Sequence, residues 1–433
     1  MKRALTYNRQ TMNNNIGIEI NSMALKVMAT ICIMMYLFGC DRNSEFDFKV
    51  EGLHYLNNKP VEIGIKDGEI TSIKQIKRLS DGANPMIIAP GLIDNQVNGF
   101  VGISFSLGGS NLTHKGVEII TQALWEKGVT SYLPTLTSNK QEILLKNLNI
   151  LAASVKDDKL LGSIPGFHLE GPYLNPKDGY RGAHPKQFIR LPDWDEFMEL
   201  YRASGEKILQ VTLAPEMEGA LDFINKCKNN NIVVGLGHHD APAETVFTAV
   251  DRGAKIATHL GNGIANTINR FDNPLWSQLA DERMLISMIC DGFHLPPEQI
   301  QVFYKVKGSD NIIITSDATS FAGLKPGQYR TKTGEIIELA EDGRLFQPAT
   351  NQFYGSASPI AKGVGHIMKV TGCSLGKAVQ MASTNPAQLY GLDDRGTLEK
   401  GKRADLIMFR MENHQVKIQK TWVKGELVYE RDQ

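Results

Sequence analysis

HLEGPYLNPKDGYRGAHP, residues 168–185, follows the short apolar segment Leu161 to Phe167 and places a carboxylate, Glu170, where a buried strand ends. Outward from it the same pattern recurs. Apolar segments run into GLGHHD (235–240), ATHLGN (257–262), ICDGFH (289–294) and TSDATS (315–320), and an earlier one ends in Asp94-Asn95-Gln96-Val97-Asn98-Gly99. In all, eight β-branched or apolar segments lead into polar or Gly-rich loops: MIIAPGLID, VTSYLPTL, GSIPGFHLE, ILQVTLAPE, IVVGLGHH, AKIATHLGN, LISMICDGFH and NIIITSDAT. Helix-like stretches such as THKGVEIITQALWEKG, PAETVFTAVDRG and PPEQIQVFYKVKG lie between them. Alternating β and α segments predict a parallel sheet, and eight repeats predict an α/β fold of the (β/α)8 TIM-like barrel type. Polar residues gathered after the strands mark the C-terminal face, where barrels carry their chemistry.

The two chain ends read differently. VEIGIKDGEITSI (61–73) alternates apolar and polar residues around an Asp67-Gly68 turn, and GTLEKGKRADLIMF with VKIQKTWVKGELVYE (416–430) repeats the pattern around Lys424-Gly425. Neither end has enough strands for a stable sheet alone. Together they predict one small β-sandwich, with residues 41–89 and 391–433 flanking a barrel at 90–390. Residues 27–38, VMATICIMMYLF, are too few to span a bilayer, which takes about 20, but suit the apolar core of a signal peptide. Leu37-Phe38-Gly39-Cys40 then predicts a lipobox, with residues 1–40 an export signal and Cys40 lipidated. The membrane would be touched only through that lipid anchor, in the cell envelope; the location is cytoplasmic if the signal reading is wrong.

Lys+Arg and Asp+Glu both number 47, so the composition gives no reason to expect nucleic acid as a partner. Five cysteines without a CxxC pair argue against a thiolate zinc site. The strand ends supply another set. Glu170, His238 and His259 suit a single divalent ion, Zn2+ or Fe2+, with an open position for water. Asp317 is placed to move the proton of that water, and His294 to hydrogen-bond a substrate carbonyl. Any one of these residues has a structural alternative, such as an Asp that merely caps a helix; the case rests on their joint placement.

These residues resemble the amidohydrolase superfamily, and within it the N-acetylglucosamine-6-phosphate deacetylases. The resemblance runs from about residue 46 to the end and is carried by APGLIDNQVNG, HLEGPYLNP with GAHP, TLAPE, GLGHHDAP, ATHLGN, DGFH, TSDAT, YGSASP, ASTNPAQLYGL and GTLEKGKRADLIMF. Many superfamily members carry His-x-His after the first strand and bind two metals; here the position reads Gln96-Val97-Asn98, as in the deacetylases. The resemblance therefore implies one metal, held by Glu170, His238 and His259, with His238 preferred to His239 because it directly follows Gly237, and His168 in a supporting role. It implies substrate contacts at Gln96, His184, Asn262, Gly263 and Arg270, with Arg270 binding a sugar phosphate across a homodimer interface. It also implies the reaction: N-acetylglucosamine 6-phosphate plus water gives glucosamine 6-phosphate and acetate. NTINRFDNPLWSQLADER (266–283) departs from the family's usual character, and an exported enzyme would rarely meet a phosphorylated sugar. Alternative substrates are an unphosphorylated or galacto-configured N-acetyl amino sugar or an N-acyl amino acid. A non-catalytic glycan-binding lipoprotein is disfavoured, because a pure binder needs no water-activating set.

Overall fold

The structure, a computed structural model, describes residues 46–80, 85–107, 112–331 and 334–432. The proposed signal segment and Cys40 lie outside the described residues. Among the described residues no helix is long and apolar enough to cross a membrane.

Eight parallel strands form the central sheet: β1 Leu92–Val97, β2 Val129–Thr137, β3 Phe167–Glu170, β4 Ile208–Leu213, β5 Val233–Leu236, β6 Ala254–Ala257, β7 Leu285–Ile289 and β8 Ile312–Thr315. They are hydrogen-bonded in chain order, and a parallel bridge between Val97 and Ala318 brings the two edges together. These are the segments that the sequence marks as strands. They read as apolar runs because both faces are covered, one by the barrel interior and one by helices; Ile312–Thr315, for instance, is buried at every position. The helices expected at 113–128, 242–253 and 296–308 form as His114–Trp125, Ala243–Arg252 and Pro297–Lys307. The first is capped by Thr113, whose hydroxyl accepts from the Gly116 N–H at 3.0 Å.

MIIAPGLID is two strands and not one. Ile87–Pro90 belongs to the small sheet, and the chain turns at Gly91 into β1. A Cβ at Gly91 would lie 2.1 Å from Thr130 Oγ1, so no larger residue fits there. The small sheet has seven strands, and Ile87–Pro90 joins the N-terminal and C-terminal sets by pairing parallel with Phe48–His54 and antiparallel with Leu406–Glu412. The small β unit is built from both chain ends as expected, and its strands form one continuous sheet. It curls back on itself: Ile70 N–H donates to Lys402 O and Ala404 N–H to Gly68 O, both at 2.8 Å. The curl encloses a core of Val50, Ile63, Ile65, Ile88, Leu406 and Trp422 drawn from both chain ends.

A third unit has no counterpart in the sequence reading. Between β8 and the helix Ile360–Thr371 lies an antiparallel four-stranded meander, Gly327–Arg330, Ile336–Leu339, Leu345–Gln347 and Gln352–Phe353. It has its own small core of Ile337, Leu339 and Leu345.

Helix Ile360–Thr371 packs on the small sheet through Gly365, where a Cβ would meet the His414 carbonyl oxygen at 1.8 Å. Gly365→Ala should force the two backbones apart at a cost of about 1–3 kcal/mol, the usual range for overpacking, and lower the melting temperature in calorimetry. An unchanged melting temperature would refute this account of the contact.

Candidate active site

Glu170 ends β3 at the floor of a cavity of about 420 Å³. Its Oε1 lies 2.8 Å from His259 Nε2 and 3.4 Å from His238 Nε2, and it accepts from Gln96 Nε2 at 2.9 Å. Its Oε2 lies 3.8 Å from His184 Nε2. Asp317, just past β8, accepts from Gln96 Nε2 at 3.1 Å and from Asn98 Nδ2 at 2.6 Å. Thus β1, β3, β5, β6 and β8 deliver their end residues to one point.

The backbone bends to do this. His238, His259 and Asp317 have φ of +55°, +33° and +51°, in the left-handed region that side chains other than glycine avoid at a cost of about 1–3 kcal/mol each. Such outliers persist where surrounding structure over-determines them. Gly182 and Gly263 supply part of that structure: a Cβ on either would lie 2.8 Å from His238 Cε1 or 2.6 Å from His238 Nδ1.

Hydrogen bonds orient the rings. His238 Nδ1 donates to the Tyr180 carbonyl at 2.9 Å, which turns Nε2 toward Glu170 Oε1. A carboxylate oxygen and an imidazole nitrogen at 3.4 Å need positive charge between them, which a proton on Nε2 or a metal ion supplies. His259 Nδ1 is buried with no partner among the described residues. His184 differs. Its Nδ1 accepts the Ser138 backbone N–H at 3.3 Å and lies 2.9 Å from Ser138 Oγ, so its proton sits on Nε2, facing the cavity. Glu170, His184 and His238 also cluster closely enough to hold an ion, as a rival to the expected trio, but His184 presents a donor there and not a lone pair.

Burial opposes the charge on Glu170, yet the two imidazoles hold its carboxyl well below the usual range. Burial also opposes a charged His259, and Glu170 reverses this and raises it. Asp317 is pushed the other way, to about 6, by burial and by the charge on Glu170. Burial, with His238 nearby, takes His184 down to about 3, so it is neutral.

The structure brings together Glu170, His184, His238, His259, Asn262, Gly263, His294 and Asp317 on one cavity wall. Gln96 does not line the cavity; its amide lies between Glu170 and Asp317. Arg270 is also off the wall of its own chain. It is exposed, with its guanidinium 4.4 Å over Phe271. His168 sits in the barrel interior, bonded to Thr212 and Gln210, and burial takes it to about 4. His239 is buried but absent from the cavity wall.

Four contributors escaped the sequence reading. They are Asn98 on Asp317, the Tyr180 carbonyl on His238, Asp291 on His294, and Phe353 of the meander, which stacks on His294 with ring centroids 4.7 Å apart. Asp291 was in plain view in DGFH. The carbonyl left no signal, since any residue supplies one.

The amidohydrolase family profile matches residues 87–428. The chain belongs to the amidohydrolase family. Within this family it is similar to the N-acetylglucosamine-6-phosphate deacetylase of Bos taurus, 32% identical over 354 residues that cover 79% of this chain and 84% of that protein. It is also similar to the N-acetylgalactosamine-6-phosphate deacetylase of Escherichia coli O157:H7, 29% identical over 84% of this chain and 94% of that one. Among solved structures, the N-acetylglucosamine-6-phosphate deacetylase of Thermotoga maritima superposes with a TM-score of 0.77 at 26% identity, over 89% of this chain and 100% of that chain.

The glycine cradle is testable in this amidohydrolase. Gly263→Ala should displace the His238 ring and weaken divalent-metal uptake about 10–100-fold, the usual effect of disturbing a ligand's support. Metal titration followed by elemental analysis reads it. Wild-type uptake would show that the cradle is irrelevant.

Proposed function

We propose that this protein is a metal-dependent deacetylase that hydrolyses the N-acetyl group of N-acetylglucosamine 6-phosphate to glucosamine 6-phosphate and acetate. The observation that carries it is the convergence of His238 Nε2 and His259 Nε2 on Glu170 Oε1, at the floor of a cavity that also holds Asp317. The named relatives support the substrate.

Glu170, His238 and His259 would hold one divalent ion, Zn2+ or Fe2+, since a carboxylate and two imidazoles suit such ions. When bound, the ion supplies Lewis acidity toward the amide carbonyl and the attacking water. The remaining work belongs to the chain. Asp317, buried and raised toward neutrality, takes the proton of the attacking water and returns it to the leaving nitrogen. Asn98 and Gln96 hold that carboxylate in place. His294 lines the cavity and, when its ring carries both protons, donates from Nε2 to the carbonyl oxygen as charge builds on it. His184 offers its Nε2–H, and Asn262 and Gly263 line the wall on which the sugar would rest.

The phosphate reading assigns Arg270 to a second copy of the chain in a homodimer. Its exposure beside Phe271 and Trp276, which are 76% and 52% exposed, supports that assignment. The galacto-configured sugar phosphate is the second reading, favoured by the Escherichia coli relative. Anchoring in the envelope through Cys40 rests on residues 27–40 alone.

The test is acetate release by the metal-loaded chain from N-acetylglucosamine with and without the 6-phosphate. Preference for the phosphorylated sugar is expected, and preference for the free sugar would overturn the substrate. Asp317→Asn should lower kcat by about 10²–10⁴-fold, the range of a lost acid–base group, while metal content stays unchanged. Asp317 acts as a base only when ionised, so activity falls as pH drops through its pKa. A bound cation offsets the Glu170 charge that raises it, so the acid limb of kcat/KM should lie below about pH 6. A limb above pH 7 would contradict Asp317 as the base.

A further inference from the structure

Asp291 lies three residues before His294, and its carboxylate is fully engaged. Oδ1 accepts the backbone N–H groups of Phe293 at 2.9 Å and His294 at 3.0 Å. Oδ2 lies 2.8 Å from His294 Nδ1 and accepts from Ser356 Oγ at 3.1 Å. A fully ionised carboxylate can only accept, so the bond at Oδ2 places a proton on His294 Nδ1. His294 lines the cavity with Nδ1 turned away, so Nε2 is the nitrogen it offers to substrate. One face of the ring stacks on Phe353 of the meander. The imidazole is therefore clamped between a carboxylate and an aromatic ring.

We propose that Asp291 is a positioning residue for the deacetylation, acting through His294: its carboxylate holds the Nδ1–H and turns Nε2 toward the scissile carbonyl, to which Nε2–H donates when the ring carries both protons. This rests on the proposed function in one respect only: the identity of the group that meets Nε2. The tautomer and the aim follow from the geometry alone.

An aspartate after a strand often only caps a turn, and Asp291 does accept two backbone N–H groups. What separates the roles is Oδ2, which a turn does not need and which here is spent on the ring and on Ser356. Burial opposes the Asp291 charge, but His294 and the backbone donors outweigh it and bring the carboxyl to about 2, so it stays ionised at any working pH. The other titratable groups that feel its charge are its chain neighbour Cys290, just after β7, and two residues of the helix Ile360–Thr371. Lys362 sits 4.3 Å over the Phe293 ring, and His366 packs against Gly292. Neither is hydrogen-bonded to the Asp291 carboxylate, so neither replaces His294 as its partner.

The first readout needs no substrate. In the metal-loaded protein labelled with ¹⁵N-histidine, with His294 assigned by loss of its signals in His294→Asn, Nδ1 should be the protonated nitrogen. An unprotonated Nδ1 would overturn the proposal whatever the enzyme acts on. The second readout is kinetic. Asp291→Asn puts an amide N–H or a weaker acceptor against the ring, and kcat should fall about 10²-fold, the low end for a lost donor to the developing oxyanion, with KM and metal content close to wild type. In a His294→Asn background the same change should cost nothing further, because its effect passes through the ring. Asp291→Glu should recover part of the loss. An additive double variant, or a loss in Asp291→Asn that appears only as lower thermal stability, would make Asp291 a turn residue and nothing more. Should wild type release no acetate, the proposed function fails while the tautomer result still decides this inference.

Discussion

Two carboxylates share one amide. Gln96 donates from a single nitrogen to Glu170 at 2.9 Å and to Asp317 at 3.1 Å, and both acids are buried. Two such groups cannot both carry charge without penalty, so their environments must divide the labour. The imidazoles of His238 and His259 fall to Glu170 and keep it ionised. Asp317 is left with neutral amides and with the field of Glu170, and rises to about 6. One acid thereby becomes a permanent anion suited to a cation, and the other a group able to trade protons near neutrality. The assignment of roles follows from which neighbours each acid has, not from the acids themselves.

The fold exists to hold that division. Asp94, near the middle of β1, accepts from the Ser316 N–H at 3.1 Å and from Thr315 Oγ1 at 3.2 Å, and the Val97–Ala318 bridge lies next to Asp317. Closure of the barrel is therefore also the step that sets Asp317 against Gln96. The meander adds a second clasp, since Ser356 N–H donates to the Asp317 carbonyl and Ser356 Oγ to Asp291. Both protonic residues, Asp317 and His294, are thus reached from the same turn.

The barrel was legible because strands covered on both faces must be apolar throughout, and the polar residues that follow them stand out. The set Glu170, His238, His259 and Asp317 was legible for the same reason. What stayed hidden lacks a side-chain signature. The Tyr180 carbonyl that orients His238 is main chain. The glycines at 182 and 263 matter for a ring that folding brings to them. The meander strands are two to four residues long, and Gly327–Arg330 is mostly exposed, so no alternation develops. MIIAPGLID read as one strand because two sheets share a continuous apolar run, and only the crowding at Gly91 divides it. Gln96 was read toward the substrate from the family resemblance; in the structure its amide is engaged by two acids.

The electrostatics of the cavity bear on the phosphate. Among the described residues on its wall, Glu170 and Asp317 are acids, His184, His238, His259 and His294 are imidazoles, and none is Lys or Arg. Burial keeps His184 neutral, so it contributes hydrogen bonding and no charge. A phosphate dianion therefore gains little from the side chains of this wall and needs positive charge from elsewhere. Two sources fit: a divalent ion at the floor, which offsets the acids, and a guanidinium at the mouth, whose planar fork matches phosphate oxygens. Arg270 is the proposed source of the second: its carbonyl accepts from the Trp276 indole, and its exposed head group rests on the Phe271 ring. Preference for a phosphorylated sugar over a neutral one would then depend on the state of assembly, whereas amide hydrolysis itself would depend only on groups within one chain.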